Sequence, residues 1–340
     1  MKLSSALLIL TFTLITGCND SEQEKNILEM ASGETKTISN DGSEVFTSNE
    51  NVVKVSGGVI TAQGYGTAAI TQKKNGKVTN TIDVEVRPFR LYSIGNSHTW
   101  DLKPDGDLVT MAKANGIDLD NDWHIYCGHN IDNIIHDPEN TCVPPKHNKY
   151  KKAINSIAYD AITIEPFFGS TGKAEVDAIE SLIDEIRNSK SKNAKIYIYY
   201  TWPQNDAKPL DAINYSHVWD APSAPTAKQK NNNSTFVSYL KNRLDADGYK
   251  IAGFIPVGDS LDDLDRSAKN GEINNLTGAG NLYRDYLHMN NVGKLFIAKL
   301  YISTIFNINQ VRYAEGTYLP GQMPDRDKDL TEHMKSLNPL

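Results

Sequence analysis

The spacing of hydrophobic and polar residues divides the chain near residue 88. From residue 27 up to that point, short runs rich in Val, Ile and Thr alternate with turns that contain Gly or Asn, and helical periodicity is weak. Short strands at close intervals, separated by turn residues, predict a small all-β sandwich. The predicted strands are 45–47, 52–55, 59–61, 67–71 and 82–86.

Beyond residue 88, apolar strands alternate with amphipathic helices. The clearest helix covers 173–188, where the aliphatic side chains fall on one helical face. Strands are predicted at 89–94, 161–164, 195–201 and 250–257, and helices at 107–115, 146–157, 173–188, 234–248 and from 290 or 291 onward. This alternation predicts an α/β domain with a parallel sheet covered on both faces. Ligands in such domains bind beyond the carboxyl ends of the strands, so the residues that follow each strand are the ones to inspect.

The first residues predict the compartment. Lys2 precedes an apolar stretch at 6–15, which has the length of a signal-peptide core and is too short to span a membrane as a helix. The stretch ends in Leu14-Ile15-Thr16-Gly17-Cys18, which resembles the lipobox of bacterial lipoproteins. The resemblance implies cleavage before Cys18, a lipid on that cysteine, a tether at 19–26, and a place in the cell envelope, at the outer membrane. An ordinary secretory signal with a chance cysteine is the alternative.

Charge and composition exclude some functions. The chain has 340 residues, with 35 Lys and Arg against 42 Asp and Glu and a formal net charge of −7. It has no Lys/Arg-rich run, so nucleic acid is not an expected partner. Three cysteines are too few for a disulfide-built scaffold. In an oxidising compartment Cys127 and Cys142 predict one disulfide, with a catalytic cysteine as the weaker alternative.

No cofactor is predicted. Four histidines lie around the two cysteines, and their spacings match neither a zinc-protease nor a zinc-finger motif. We therefore interpret them as loop histidines, and a metal site stays the less favoured reading. The four are His124, His129, His136 and His147.

Residues of acyl-transfer chemistry stand at two predicted strand and helix ends. Ser97, in Gly95-Asn96-Ser97-His98-Thr99, directly follows the first strand of the α/β domain. Asp285 and His288, in Arg284-Asp285-Tyr286-Leu287-His288, come just before the last helix. An Asp three residues ahead of a His can accept from one ring nitrogen, which orients the other nitrogen towards a nucleophile. Each motif alone is common, and together in this order they are much more specific.

The two motifs in this order resemble the SGNH (GDSL-type) hydrolase family over about 89–307. The resemblance implies a flavodoxin-like three-layer α/β/α fold and a metal-free mechanism. Carried over by position, Ser97 is the nucleophile, His288 the general base and then acid, and Asp285 the orienting carboxylate. The family's oxyanion hole implies the backbone N–H of Ser97 and a glycine after the second strand, for which Gly128 is the candidate.

The sequence departs from that family after the family's third strand, which corresponds to the predicted strand at 161–164. An Asn is expected there, but the chain has Ile164-Glu165-Pro166 and no G-x-N-D motif. An ionised carboxylate cannot donate to an oxyanion, so Glu165 is protonated, or it binds substrate hydroxyls, or the third donor comes from elsewhere. We carry Glu165 forward as a substrate-binding residue. Asn96 also replaces the Asp of the usual G-D-S, which is a milder change.

Aromatic residues near the predicted strand ends suggest a sugar-binding surface. Trp100 lies three residues after Ser97 and Trp202 ends a predicted strand. Indole faces beside a hydrolytic serine suit stacking on sugar rings, although core packing explains any single Trp as well. The stretch 203–233 is long, polar and without clear periodicity, which is typical of a functional loop.

The β module contains the phrase TSNENVVKVSGGVITAQGYGTAAIT followed by TIDVEV, which resembles the bacterial group 2 immunoglobulin-like domain. That resemblance implies a spacer or adhesive role. The predicted organisation is therefore a signal peptide at 1–18, a linker at 19–26, an Ig-like domain at 27–88, a hydrolase domain at 89–312 and a tail at 313–340.

Two functions remain. The first is a lipid-anchored esterase whose partner is an acylated polysaccharide, with a lipid or short-chain ester as another possible substrate. The second is a noncatalytic carbohydrate-binding or adhesive lipoprotein that keeps the hydrolase fold. The absence of the Asn expected at the position of Glu165 suggests this alternative.

Overall fold

The computed structural model describes residues 27–38, 42–102, 104–273 and 276–312. The predicted signal peptide, Cys18, the linker and the tail lie outside these residues. Within the described ranges, no helix combines the length and the apolar character needed to cross a membrane.

The first module contains only strands and turns within its described residues. Its strands are β1 (Ile27–Ala31), β2 (Thr35–Thr37), β3 (Glu44–Thr47), β4 (Val53–Ser56), β5 (Val59–Ala62), β6 (Gly66–Lys74) and β7 (Lys77–Arg87). They form two sheets with the orders β1-β7-β6-β3 and β2-β5-β4. Apolar side chains from both sheets share one core, to which Met30, Val53, Ile60 and Ile70 belong. The sequence pattern did not predict β1 and β2, whose Glu, Lys and Thr residues interrupt any apolar run.

Polar contacts join this module to the α/β domain. Arg87 ends β7, and its guanidinium binds both oxygens of Asp160 at 2.6 and 2.7 Å. The same group donates to Glu29 Oε1 at 2.8 Å. The hydroxyl of Ser32 accepts from the backbone N–H of Asp118 at 2.9 Å. Two parallel charge-assisted bonds fix orientation as well as distance, so the Arg87–Asp160 pair sets how the two modules meet.

The second module is built on a parallel sheet, as predicted. Its strands are β8 (Phe89–Gly95), β9 (Leu119–Ile125), β10 (Ala161–Ile164), β11 (Lys195–Tyr200) and β12 (Gly253–Pro256). They stand in the order β12-β11-β10-β8-β9, and each neighbouring pair is parallel. The carboxyl ends of β8, β10 and β11 therefore meet at one edge.

Helices cover both faces of this sheet. The described helices are α1 (Ser97–Asp101), α2 (Asp107–Ala114), α3 (Ile131–His136), α4 (Tyr150–Ser156), α5 (Gly172–Arg187), α6 (Tyr215–Trp219), α7 (Ser234–Ala246), α8 (Val257–Lys269) and α9 (Asn291–Phe306). Side chains of α2, α8 and α9 pack in one core, and those of α3, α5 and α7 pack in another. The helix α9 is apolar almost all round because nearly its whole length is buried.

Two predicted elements begin too early along the chain, and the predicted loop at 203–233 contains short helical turns. The predicted strand at 250–257 covers only Gly253–Pro256, because Val257 already begins α8. The helix predicted at 146–157 begins at Tyr150, since the backbone of residues 146–148 donates to Asp122 instead. The segment 203–233 contains a 3-10 turn at Leu210–Ala212 and the short helix α6, which the sequence pattern did not indicate.

Candidate active site

The turn after β8 presents Ser97 at the carboxyl edge of the sheet. Asn96 caps α1, because its Oδ1 accepts from the backbone N–H of His98 at 3.0 Å. Ser97 is the first residue of the helix and is partly exposed, whereas Asn96 and His98 are fully buried. A polar residue at the N-cap fixes the turn and so fixes the position of the serine that follows it.

Asp285 and His288 form a hydrogen-bonded pair. The His288 Nδ1 lies 3.1 Å from both carboxylate oxygens of Asp285. Asp285 Oδ1 also accepts from the backbone N–H groups of Leu287 and His288, each at 2.8 Å. Partial burial alone would raise the pKa of Asp285, but these hydrogen bonds outweigh it and lower the pKa to about 2. The carboxylate therefore stays ionised and keeps the His288 proton on Nδ1, with Nε2 free to act as a base.

Contacts between α1 and the loop at 285–289 bring the two motifs together. Asp101 is buried, and its Oδ2 accepts from the backbone N–H of Met289 at 2.8 Å. The rings of His98 and His288 lie 6.2 Å apart, centroid to centroid. The sequence analysis missed Asp101, because an Asp at the end of a short helix gives no signal of its burial.

Within the described residues, no hydrogen bond joins the Ser97 hydroxyl to His288. Catalytic hydrogen bonds are often long in the absence of substrate and tighten when substrate binds. The arrangement places a serine, a histidine and an ionised aspartate on adjoining segments at one sheet edge. Acyl-transfer chemistry uses residues of these three types.

The turn that follows β9 carries Gly128. Its φ is +72°, in the left-handed region that favours glycine. The disulfide between Cys127 and Cys142, predicted from the compartment, closes beside it. The Asn96 Nδ2 donates to the carbonyl of His129 at 3.3 Å, so the turn at 95–99, which carries Ser97, and the Gly128 turn are directly bonded. The catalytic alternative for either cysteine is excluded, since each sulfur is in the disulfide.

Glu165 does not line a substrate pocket. The prediction that it binds substrate is wrong, because the residue is fully buried beneath the turn at 95–99. Its Oε2 accepts from Asn96 N–H at 3.0 Å, from Thr99 N–H at 3.0 Å and from the Thr99 hydroxyl at 2.6 Å. Burial raises the pKa of Glu165 to about 8, although these three donors act in the opposite direction. At neutral pH the side chain is therefore mostly protonated.

Gly95 lets that carboxyl approach the turn. A Cβ at position 95 would overlap Thr99 Oγ1 and Glu165 Oε2. Glu165 approaches so closely that only glycine fits at position 95.

Trp202 is also in the interior, so the prediction that it stacks on a sugar is wrong. The residue is 0% exposed, and its ring stacks on His98 with centroids 4.5 Å apart. Its Nε1 donates to the carbonyl of Leu287 at 2.8 Å. Burial, with His288 nearby, lowers the pKa of His98 to about 3, so the ring sandwiched here is neutral. Trp202 supports the site from below.

Trp100, which was predicted to bind substrate, is accessible to solvent. It is partly exposed, three residues after Ser97, and lies 6.0 Å from the ring of Trp123. Its role in substrate binding stays a prediction.

The histidines of this region do not form a metal centre. In the described part of the chain, no group of three or more His, Cys, Asp or Glu side chains could hold a metal ion. His124 is buried against Tyr150, and burial lowers its pKa to about 4.

Comparison with known proteins gives distant similarities. No family model matches the chain, and no curated protein matches it. Among solved structures, it is similar to a DUF4886 family protein from Bacteroides uniformis, with 16% identity and a TM-score of 0.48 over 73% of this chain and 94% of that one.

Two further structures have lower scores. A two-domain esterase active on acetylated mannans aligns with 13% identity and a TM-score of 0.40, over 65% of this chain and 49% of that one. The periplasmic domain of a lipopolysaccharide acetyltransferase from Salmonella ser. Paratyphi A aligns with 14% identity and a TM-score of 0.38, over 65% of this chain and 83% of that one. Similarity at this level gives no information about the activity of this chain.

Proposed function

We propose that the chain is a serine esterase of the SGNH type that removes acetyl or similar acyl groups from a polysaccharide in the bacterial cell envelope. One observation carries the proposal. The hydrogen-bonded pair of Asp285 and His288 is held against the helix that begins at Ser97, at the carboxyl edge of a parallel sheet. Ligands bind at this edge in open α/β sheets.

The reaction follows from the assigned atoms. Ser97 Oγ attacks the ester carbonyl carbon while His288 Nε2 takes the hydroxyl proton. The ionised Asp285 stabilises the imidazolium that forms. Collapse of the tetrahedral intermediate breaks the ester C–O bond, and His288 returns the proton to the leaving sugar oxygen. Water, activated by His288 in the same way, then releases the acyl group from Ser97.

The oxyanion that develops needs donors. The backbone N–H groups of Ser97 and Gly128 are the candidates, on two turns that Asn96 bonds together. Removing one donor from such a hole costs roughly 3–4 kcal/mol of transition-state stabilisation. Glu165 is not a third donor in this account, because its side chain is fully buried beneath the turn at 95–99.

The surroundings fit work on an external polymer. A lipid on Cys18 would hold the protein at the membrane, with 19–26 as a tether. The β module, which we assign as an Ig-like spacer, would carry the active domain away from that anchor. The partly buried Arg87–Asp160 contact would make the two modules move as one body.

The test compares the mature protein with its Ser97→Ala variant on an aryl acetate and on acetylated xylan. Ser181→Ala is the matched control, since Ser181 lies on the outer face of α5 and is exposed. Acetate release that Ser97→Ala loses and Ser181→Ala keeps supports the proposal. If the parent and Ser97→Ala are equally inactive on a broad acyl panel while the parent binds glycans, the chain is the noncatalytic binding lipoprotein instead.

A further inference from the structure

A cleft of about 510 Å³ opens next to the segment that carries Asp285 and His288. It is lined by residues 205–210 and by Tyr286, which lies between the two predicted catalytic residues in the chain. Tyr286 is 56% exposed, so its ring is available to a ligand. The volume falls in the range of about 300–1,000 Å³ that is typical of small-molecule sites.

Hydrogen bonds hold the walls of this cleft in place. The backbone N–H of Asn205 donates to the carbonyl of Tyr286 at 2.7 Å, which joins the two walls. Asn205 is fully buried; its Oδ1 accepts from Ala207 N–H at 3.1 Å and its Nδ2 donates to the Leu210 carbonyl at 2.7 Å. Below them, the Tyr283 hydroxyl donates to the Pro203 carbonyl at 2.9 Å. A cleft built in this way loses little conformational entropy when a ligand enters.

The polar groups at the rim indicate which ligand fits. Both polar side-chain atoms of Asn205 are used within the wall, and Asp206 and Lys208 are the exposed charged side chains that line the cleft. One carboxylate and one ammonium give no net charge, so neither an anionic nor a cationic ligand is favoured. Exposed charges also disfavour a long acyl chain, which would desolvate them. A neutral, hydroxyl-rich ring can stack on Tyr286 and hydrogen-bond to both charged groups.

We propose that this cleft is a subsite for a neutral sugar residue of the substrate, with Tyr286 as its stacking platform. The inference rests on the proposed function, which it deepens by choosing a neutral glycan over a charged one and by locating a subsite for one of its residues. Because Tyr286 is next to Asp285 in the chain, the subsite adjoins the segment that carries the proposed catalytic pair.

The experiment separates binding from catalysis. Isothermal titration calorimetry measures the binding of acetylated xylohexaose, mannohexaose and a galacturonic acid hexamer to the full-length Ser97→Ala protein, which cannot turn them over in this account. Tyr286→Ala and Tyr286→Phe are added to that background. Tyr65→Ala is the matched control, since Tyr65 is also an exposed tyrosine (69%) but lies on the β module. Hydrolysis of aryl acetate and of a long-chain aryl ester is measured separately with Ser97 intact.

We expect at least one neutral hexasaccharide to bind more tightly than the acidic one. Tyr286→Ala should weaken that binding by roughly two- to tenfold, while Tyr286→Phe and Tyr65→Ala leave it near the parent value. Three results overturn the subsite: no neutral saccharide binds, Tyr286→Ala binds as the parent does, or Tyr286→Ala chiefly slows hydrolysis of the long-chain ester. Failure of the proposed function is a different result. In that case aryl acetate hydrolysis is absent, or it does not depend on Ser97.

Discussion

Replacing Glu165 by leucine removes the oxygen that accepts three hydrogen bonds from the turn at 95–99. The donors are the backbone N–H groups of Asn96 and Thr99 and the hydroxyl of Thr99. Both residues are almost completely buried, so water cannot easily replace the lost acceptor. Glutamine keeps an acceptor oxygen with nearly the same shape, and Glu165→Gln is therefore the conservative partner of Glu165→Leu.

The magnitude follows from the donors left without a partner. A buried unsatisfied donor costs about 1–3 kcal/mol, so three of them cost roughly 3–9 kcal/mol in the Leu variant. Domains are stable by only about 5–15 kcal/mol, so this change is large. The turn that holds Ser97 should loosen before the rest of the domain unfolds, and kcat should fall with it.

The pH dependence gives a second signature. The pKa of Glu165 is about 8 in the folded protein and 4.5 as its ordinary value. Because the folded state holds the proton more tightly, the contribution of this group to stability is full below about pH 4.5. It is lost between there and about pH 8, at a slope of about 1.4 kcal/mol per pH unit. Glu165→Gln does not titrate, so its stability should change less over this range.

The assay is urea unfolding at a series of pH values from 5 to 9, together with kcat on an aryl acetate. Glu175→Leu is the matched control, because Glu175 is also buried and accepts backbone N–H groups, but from Ile131 and Phe167. It should lose stability and keep the kcat of the folded fraction. The reasoning is refuted if Glu165→Leu is as stable and active as the parent, or if Glu165→Gln keeps the parent's pH slope.

Three further predictions concern the catalytic pair, the disulfide and the module junction. Asp285→Asn should lower kcat on the order of 10⁴-fold in stopped aryl ester assays, and unchanged turnover contradicts the orienting role. The pKa of Asp285 is lowered to about 2, so its contribution to stability is present above about pH 3.8 and is lost as the pH falls through 2. Asp285→Asn has no such group, so its stability should fall less steeply in acid. The double variant Cys127→Ser, Cys142→Ser should lose about 3 kcal/mol in urea unfolding, and a loss near zero argues against the loop-closure contribution. Arg87→Gln should speed limited proteolysis between the modules, whereas an unchanged cleavage rate means that Asp160 does not couple them.

The sequence was sufficient to predict the parallel sheet and the place of the two motifs on it. Ser97 does follow β8, and His288 does precede α9, since each lies at a junction where apolar strand or helix periodicity stops. The strand β9 was not predicted. It contains Asp120, Asn121, Asp122 and His124, and the buried Asp122 accepts backbone N–H groups of the loop at 146–148. A strand whose polar side chains are satisfied by a distant loop has no hydrophobic pattern to read.

The direction of side chains at the strand ends could not be predicted either. A Glu after a strand has the same local signal whether it faces solvent or turns under a neighbouring loop. Glu165 turns under because the cap at Asn96 leaves N–H groups for it to accept, and Gly95 leaves the room. Trp202 is buried because His98 covers its ring, a contact between residues more than a hundred positions apart.

The central claim is that Ser97 is the nucleophile and His288 its base. Mass spectrometry after incubation with an aryl fluorophosphonate tests this most directly. The account predicts one adduct, on the peptide that contains Ser97, which Ser97→Ala lacks and His288→Ala forms far more slowly. An unlabelled Ser97 in a protein that still hydrolyses esters, or an adduct on another residue, would contradict it.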